Sequence, residues 1–140
     1  MIPRQMSDIV RKQNPLTLPE SASVQQACRA MRDRRVGAVL VTGASGELVG
    51  IFTGRDAVCR ALAEGVNPAL TTLASVMTRK PDAMAPGKTA IDALRMMRDG
   101  GYRHVPVVDG TKIVGIVSSG DFRGLEQARL DEETGLWEHI

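Results

Sequence analysis

Two short segments of this chain place a hydroxyl three residues ahead of a carboxylate at the end of an apolar run. They are Gly50-Ile51-Phe52-Thr53-Gly54-Arg55-Asp56 and Gly115-Ile116-Val117-Ser118-Ser119-Gly120-Asp121. Each reads as a strand end running into the start of a helix. A helix start offers unpaired N–H groups and partial positive charge, a natural seat for phosphate. Thr53 or Ser118 can donate its hydroxyl to a phosphate or ribose oxygen. An ionised Asp56 or Asp121 only accepts, and its two oxygens suit the cis 2′- and 3′-hydroxyls of a ribose. The same spacing also makes a helix capping box, in which the acid returns to the backbone of the N-cap. One occurrence would favour capping. Two, each after a Gly-Ile strand end, favour a ligand cleft in at least one of them.

The elements that must position these groups also occur twice. With the chain shifted by 66 positions, Pro15 meets Pro81, Ala27 meets Ala93 and Arg29 meets Arg95, and Met31-Arg32-Asp33 meets Met97-Arg98-Asp99. Past a one-residue deletion in a turn, Val49-Gly50-Ile51 meets Val114-Gly115-Ile116, and Asp56 meets Asp121. Such self-similarity marks a tandem duplication. In each copy an extended piece after a proline (16–18; 82–84) leads to a helix opened by Ser23 or Thr89. Apolar Val24, Ala27, Cys28 and Met31, or Ala90, Ala93, Leu94 and Met97, line one face of that helix. Two β-branched runs follow, 38–42 with 48–53 and 105–108 with 113–118; Asp109-Gly110 is the stronger hairpin signal. A second helix closes each copy over 55–64 and 120–130. The pattern predicts a mixed α/β (α+β) fold of two β-α-β-β-α repeats packed as a pseudo-twofold pair, since one unit alone would bury too little surface. The divisions expected are an N-terminal helix with the first repeat (1–66), a linker with the second (67–126), and an acidic helical extension (127–140).

Composition removes several function classes. Apolar residues make up 43% and charged residues 24%, an ordinary globular balance. Eighteen basic against sixteen acidic side chains leave +2, too little for a charge-driven nucleic-acid binder. Aromatics are only 3% (Phe52, Tyr102, Phe122 and Trp137), which argues against a base-stacking platform. No run is long enough to span a membrane, and the N-terminus lacks the apolar stretch of a signal peptide; a cytoplasmic location is expected. Cys28 and Cys59 have no metal-type spacing and read as small core hydrophobes. There is no Gly-x-Ser-x-Gly elbow, P-loop or His-Glu-x-x-His, and the two histidines, 104 and 139, have no partner spacing. An enzyme is not expected, nor a metal site.

The doubled segments, together with Ser75-Val76-Met77-Thr78-Arg79-Lys80-Pro81 and Tyr102-Arg103-His104-Val105-Pro106-Val107-Val108, resemble the tandem cystathionine-β-synthase (CBS) domain pair. This regulatory module occurs alone or attached to enzymes, transporters and channels. The likeness covers residues 6 to about 126 and is specific through the order, doubling and spacing of its motifs. The first copy reads Val36-Gly37-Ala38-Val39-Leu40-Val41, without the proline of the second, and Gly54 stands where the family often has an acid. The resemblance implies an adenosyl ligand: AMP, ADP or ATP, with S-adenosylmethionine and NAD(H) as further candidates, and no obligatory cofactor. Asp56 or Asp121 would hold the ribose, and Thr53 or Ser118 would lie near phosphate. The purine would lie against Thr17 or Ala83 and against Ala38 or His104.

Arg103 and His104 flank the second segment and could touch phosphate or a purine edge; Lys80, with Arg79, could reach phosphate. Arg32, Asp33, Arg34 and Arg35 read as a solvated helix end. Met31, Met96 and Met97 read as packing or dimer surface. The acidic tail (Glu126, Asp131, Glu132, Glu133 and Glu138), ending near Leu136-Trp137, is expected to extend the last helix onto a partner subunit. The leading expectation is a homodimeric adenosyl-ligand sensor. Its ligand would sit in the groove between repeats and favour one arrangement of them, to be read by an unidentified effector protein. The alternative is a non-enzymatic homodimeric interaction module whose capping boxes are structural. A redox regulator using Cys28 or Cys59 is a third class.

Overall fold

The structure, a computed structural model, describes residues 4–122. They fall into two compact units. One comprises Asn14–Pro81 with Thr111–Ile113; the other holds the residues before Asn14, Asp82–Gly110 and those from Val114 onward. The expected acidic tail and most of the helix expected over 120–130 lie outside the described residues.

In the first unit, β1 (Thr17–Pro19) is parallel to β2 (Ala38–Thr42), which pairs antiparallel with β3 (Leu48–Thr53); β4 (Thr78–Arg79) completes the sheet in the order β1-β2-β3-β4. Between β1 and β2 runs α2 (Val24–Arg34). Ser23 caps it by accepting from the Gln26 amide at 3.0 Å, and its chain leaves through Arg35 in the left-handed conformation. Val24, Ala27 and Met31 recur at helical spacing and meet Val39, Val41 and Phe52 in one core. After β3 the chain turns into α3 (Gly54–Asp56), which widens into a π-helical stretch over Ala57–Leu62; the Ala63 amide donates to the Val58 carbonyl, five residues back, at 2.8 Å.

The second unit repeats this plan. Met84 bridges Val107 in parallel, as β1 does β2, and α5 (Ala90–Gly100) is capped by Thr89. The hairpin is β5 (His104–Asp109) with β6 (Lys112–Ser118), and a single 3-10 turn follows, Ser119–Asp121. The glycine at the end of α5, Gly101 (φ 71°), occupies the left-handed place that Arg35 (φ 55°) fills in the first copy.

Each copy is completed by the segment that precedes the other. The four-residue helix α4 (Leu73–Val76), ahead of the second copy, packs in the first unit: the Leu73 amide donates to Ala22 (2.8 Å) and the Val24 amide to Thr71 (2.9 Å). Its counterpart α1 (Met6–Ile9) packs in the second unit: the Met6 amide donates to Lys88 (2.8 Å) and the Ala90 amide to Arg4 (2.8 Å). The sequence grouping of the N-terminal helix with residues up to 66, and of 67–80 with the second copy, therefore differs from the packing.

The glycines of the last strands make room for these segments. A Cβ on Gly50 would lie 2.5 Å from the Met77 sulfur, and one on Gly115 would lie 2.5 Å from the Val10 Cβ. Close approach is what a strand-interior glycine allows. Beyond them the strand edges are closed in two ways. β4 pairs with β3, whereas the Gln13 side-chain amide imitates a strand on β6, donating to the Ile116 carbonyl (2.9 Å) and accepting from its amide (2.6 Å).

Met6 and Leu73 are both fully buried. Met6→Ala and Leu73→Ala should therefore each cost about 2–5 kcal/mol in denaturant unfolding. A loss at Met6 no greater than that of an exposed substitution would detach α1 from the core of the second unit.

Candidate functional site

Both hydroxyl–carboxylate pairs sit at the junction between a last strand and the helix that follows. In the first copy Thr53 ends β3 directly opposite Ala38, which opens β2, and the Gly54 amide donates to the Gly37 carbonyl at 3.1 Å. One Asp56 oxygen, Oδ2, accepts from the Thr53 amide at 2.9 Å and lies 3.2 Å from its hydroxyl; the Asp56 amide donates to that hydroxyl at 3.3 Å. In the second copy the Ser119 amide donates to the Arg103 carbonyl at 3.0 Å. Asp121 Oδ2 accepts from the Ser118 amide at 2.7 Å and from its hydroxyl at 3.3 Å. Both are complete capping boxes. Thr89 and Asp92 form a third at the start of α5, so capping geometry alone does not distinguish a ligand site.

The surroundings of the two carboxylates differ. Asp56 is buried, 8% exposed, and its other oxygen, Oδ1, lies 3.6 Å from Arg60 Nε. Arg60 Nη1 also donates to the carbonyls of Met77 (3.0 Å) and Val76 (3.4 Å), at the end of α4. Asp121 is exposed. The guanidinium of Arg4 donates to its backbone carbonyl at 3.1 Å.

His104 opens β5 at the place Ala38 holds in β2, and is half-buried. Burial lowers its pKa; the facing Asp121 carboxylate opposes that shift and Arg103 adds to it. Tyr102, just before β5, donates its hydroxyl to Asp82 at 2.7 Å, and burial raises its pKa further than does this bond. Among the remaining candidates, Thr17 is exposed at the start of β1, in register with Leu40, and Ala83 is half-buried beside Met84. Thr17, Ala38, Thr53 and Asp56 thus belong to one unit, and Ala83, Arg103, His104, Ser118 and Asp121 to the other. Lys80 belongs with the first copy, exposed at φ 48°, its amide donating to the Val49 carbonyl at 3.2 Å. Arg79 pairs with Glu20 at 3.3 Å. Arg60 and Arg4 were not singled out by sequence, because their partners are carbonyls far along the chain. Cys28 is partly buried, as a core thiol would be, but Cys59 is exposed because it points away from the core on the π-helical stretch.

The model of the CBS domain family matches residues 6–61 and again 73–126. The chain belongs to the CBS domain family. Each match begins at the short helix ahead of a copy and runs through its capped junction. The chain is 40% identical over 108 residues to the CBS domain-containing protein CBSCBSPB3 of Arabidopsis thaliana, covering 77% of this chain and 19% of that protein. It thus spans about a fifth of the length of such curated relatives. Among solved structures, the CBS domain protein PAE2072 from Pyrobaculum aerophilum, complexed with AMP, aligns with a TM-score of 0.81 over 91% of this chain and 98% of its own, at 24% identity. The CBS domain pair of protein MJ0100, in complex with 5′-methylthioadenosine and S-adenosyl-L-methionine, aligns at 0.77 over 95% and 99%, with 25% identity. CBS pairs are regulatory modules, and the curated relative named here carries no enzyme's name. Among the described residues no helix is long and apolar enough to cross a membrane, and no cluster of three or more His, Cys, Asp or Glu could hold a metal.

His104 provides a pH signature for the second junction. Its pKa is lower in the folded chain than the ordinary 6.5, so protonation favours the unfolded state. The stability it leaves intact above pH 6.5 is lost as the pH falls through that value toward the folded-state pKa. His104→Gln should therefore lose less melting temperature than the unsubstituted protein between pH 7 and 5. Parallel melting curves across that range would contradict the burial of this imidazole.

Proposed function

We propose that this CBS pair is a cytoplasmic sensor of an adenosyl ligand, an adenine nucleotide first and S-adenosylmethionine or NAD(H) next, acting by a ligand-linked shift in conformation. The observation that carries the reading is the doubled junction: a hydroxyl and a carboxylate at a strand end, beside the first residue of the neighbouring strand. There the aspartate would accept from the ribose diol, Thr53 or Ser118 would lie near phosphate, and Ala38 or His104, with Thr17 or Ala83, would lie near the purine. Arg103 and Lys80 would add positive charge. The adenosyl ligands named for the MJ0100 pair support this chemistry. Binding produces a signal only if the ligand prefers one conformation.

The intact chain should bind AMP, ADP, ATP or S-adenosylmethionine below millimolar in calorimetric titration, and at least one of the two substitutions Asp56→Ala and Asp121→Ala should weaken binding at least tenfold. If none of them binds, or both variants bind as the parent does, the reading fails. One observation favours the alternative, an interaction module without nucleotide: both carboxylates already serve as caps, like Asp92. That alternative predicts no ligand effect on melting.

Under either reading we propose a homodimer. Val58 and Leu62, one turn apart on the π-helical stretch, are 57% and 78% exposed. They border an apolar groove of about 480 Å³ that also takes in Val24, Cys28 and Ala61. A second copy would cover this face by twofold symmetry, and an effector would read the dimer elsewhere. Light scattering should give twice the chain mass, and Leu62→Glu should reduce it to one; a monomeric parent protein would exclude the dimer.

A further inference from the structure

The repeated junctions share their backbone bonds but not their access to a ligand. Asp56 is satisfied on both oxygens: Oδ2 by Thr53, and Oδ1 by the Arg60 guanidinium one helical turn later. That guanidinium is committed in turn to the carbonyls of Val76 and Met77, where a cation is favoured at a helix C-terminus. The repeat offset places Leu125 where the first copy has Arg60, and leucine can neither pair with a carboxylate nor bond a carbonyl. Among the described residues, the side chain of Asp121 is bonded only to Ser118, through Oδ2, and the residue is exposed. A ribose diol needs a carboxylate oxygen that is both open and unpaired. Among the described residues only the second copy presents one.

We propose that Arg60 closes the first junction against ligand, turning Asp56 into a structural clamp on the connector, so that the chain binds one adenosyl ligand, at Asp121. This rests on the nucleotide reading above and adds to it a stoichiometry and a specificity-determining residue. Arg60 acts here as a positioning residue, not as a phosphate contact.

Calorimetric titration of the intact chain with AMP tests this. The parent protein should bind one AMP per chain; Asp121→Asn should abolish binding, and Asp56→Asn should leave affinity within about threefold. Arg60→Leu, which copies the second junction, should raise the stoichiometry to two. Two sites in the parent, loss of binding on Asp56→Asn with retention on Asp121→Asn, or loss on Arg60→Leu overturns the proposal while leaving nucleotide binding intact. No AMP binding by the parent overturns the nucleotide reading instead. The clamp is then judged by melting. Arg60→Leu and Asp56→Asn should lower the melting temperature non-additively, since each removes the same contact; additive losses overturn it.

Discussion

A β-α-β-β-α copy of this size leaves the outer edge of its last strand uncovered, and with it a face too small to bury a stable core. In this chain the gap is closed by a segment whose side chains pack directly onto the strand, and that is feasible only where the strand carries no side chain of its own. Gly50 under Met77 and Gly115 under Val10 meet this requirement. The consequences spread outward. The covering segment arrives as a short helix whose amides bond the loop before α2 or α5. Its apolar residues, Leu73 and Val76 or Met6 and Val10, enter the core that Phe52 or Val117 occupies. The first copy is covered by the stretch that directly follows it, whereas the second is covered by residues from the far side of the first copy.

The junctions that follow the last strands depend on this closure. Thr53 and Ser118 end strands held from both sides, so the capping boxes fix where each carboxylate lies relative to β2 or β5. In the first copy the closure also supplies carbonyls for Arg60, since Val76 and Met77 are the end of the covering helix. Core packing and junction electrostatics thus meet in the same short segment, Leu73 to Met77.

Much of this was legible beforehand because it is local. Ser23 and Thr89 announce their helices by capping chemistry, the runs 38–42 and 48–53 are strands at those bounds, and the doubled Thr/Ser-x-x-Asp spacing marks both junctions. What sequence concealed is non-local. An N-terminal helix is expected and Met6–Ile9 is one, but its partners lie some eighty positions on, in the other copy. Arg60 looks like a solvated helix cation until the Met77 carbonyl is placed beside it. The helix expected over 55–64 is present, but its π-helical winding has no sequence signature, and Cys59 on it is exposed.

Duplication preserves backbone more strictly than side chains, and the neighbours of the two carboxylates show it. In the alignment of the two copies Gly54 corresponds to Ser119, Ala38 to His104, and Arg60 to Leu125. The amide bonds to Gly37 and Arg103 and the capping of Thr53 and Ser118 are kept. If these positions served capping alone, the cap would constrain only the hydroxyl and the acid, and its neighbours would have no common reason to change together in polarity. Here the first junction carries a cation and an apolar strand residue beside a buried acid, and the second an imidazole beside an exposed one. Each change alters what can approach the carboxylate while leaving the cap untouched. Under the proposed nucleotide reading, divergence of that kind would separate a support from a binding site copied from the same unit.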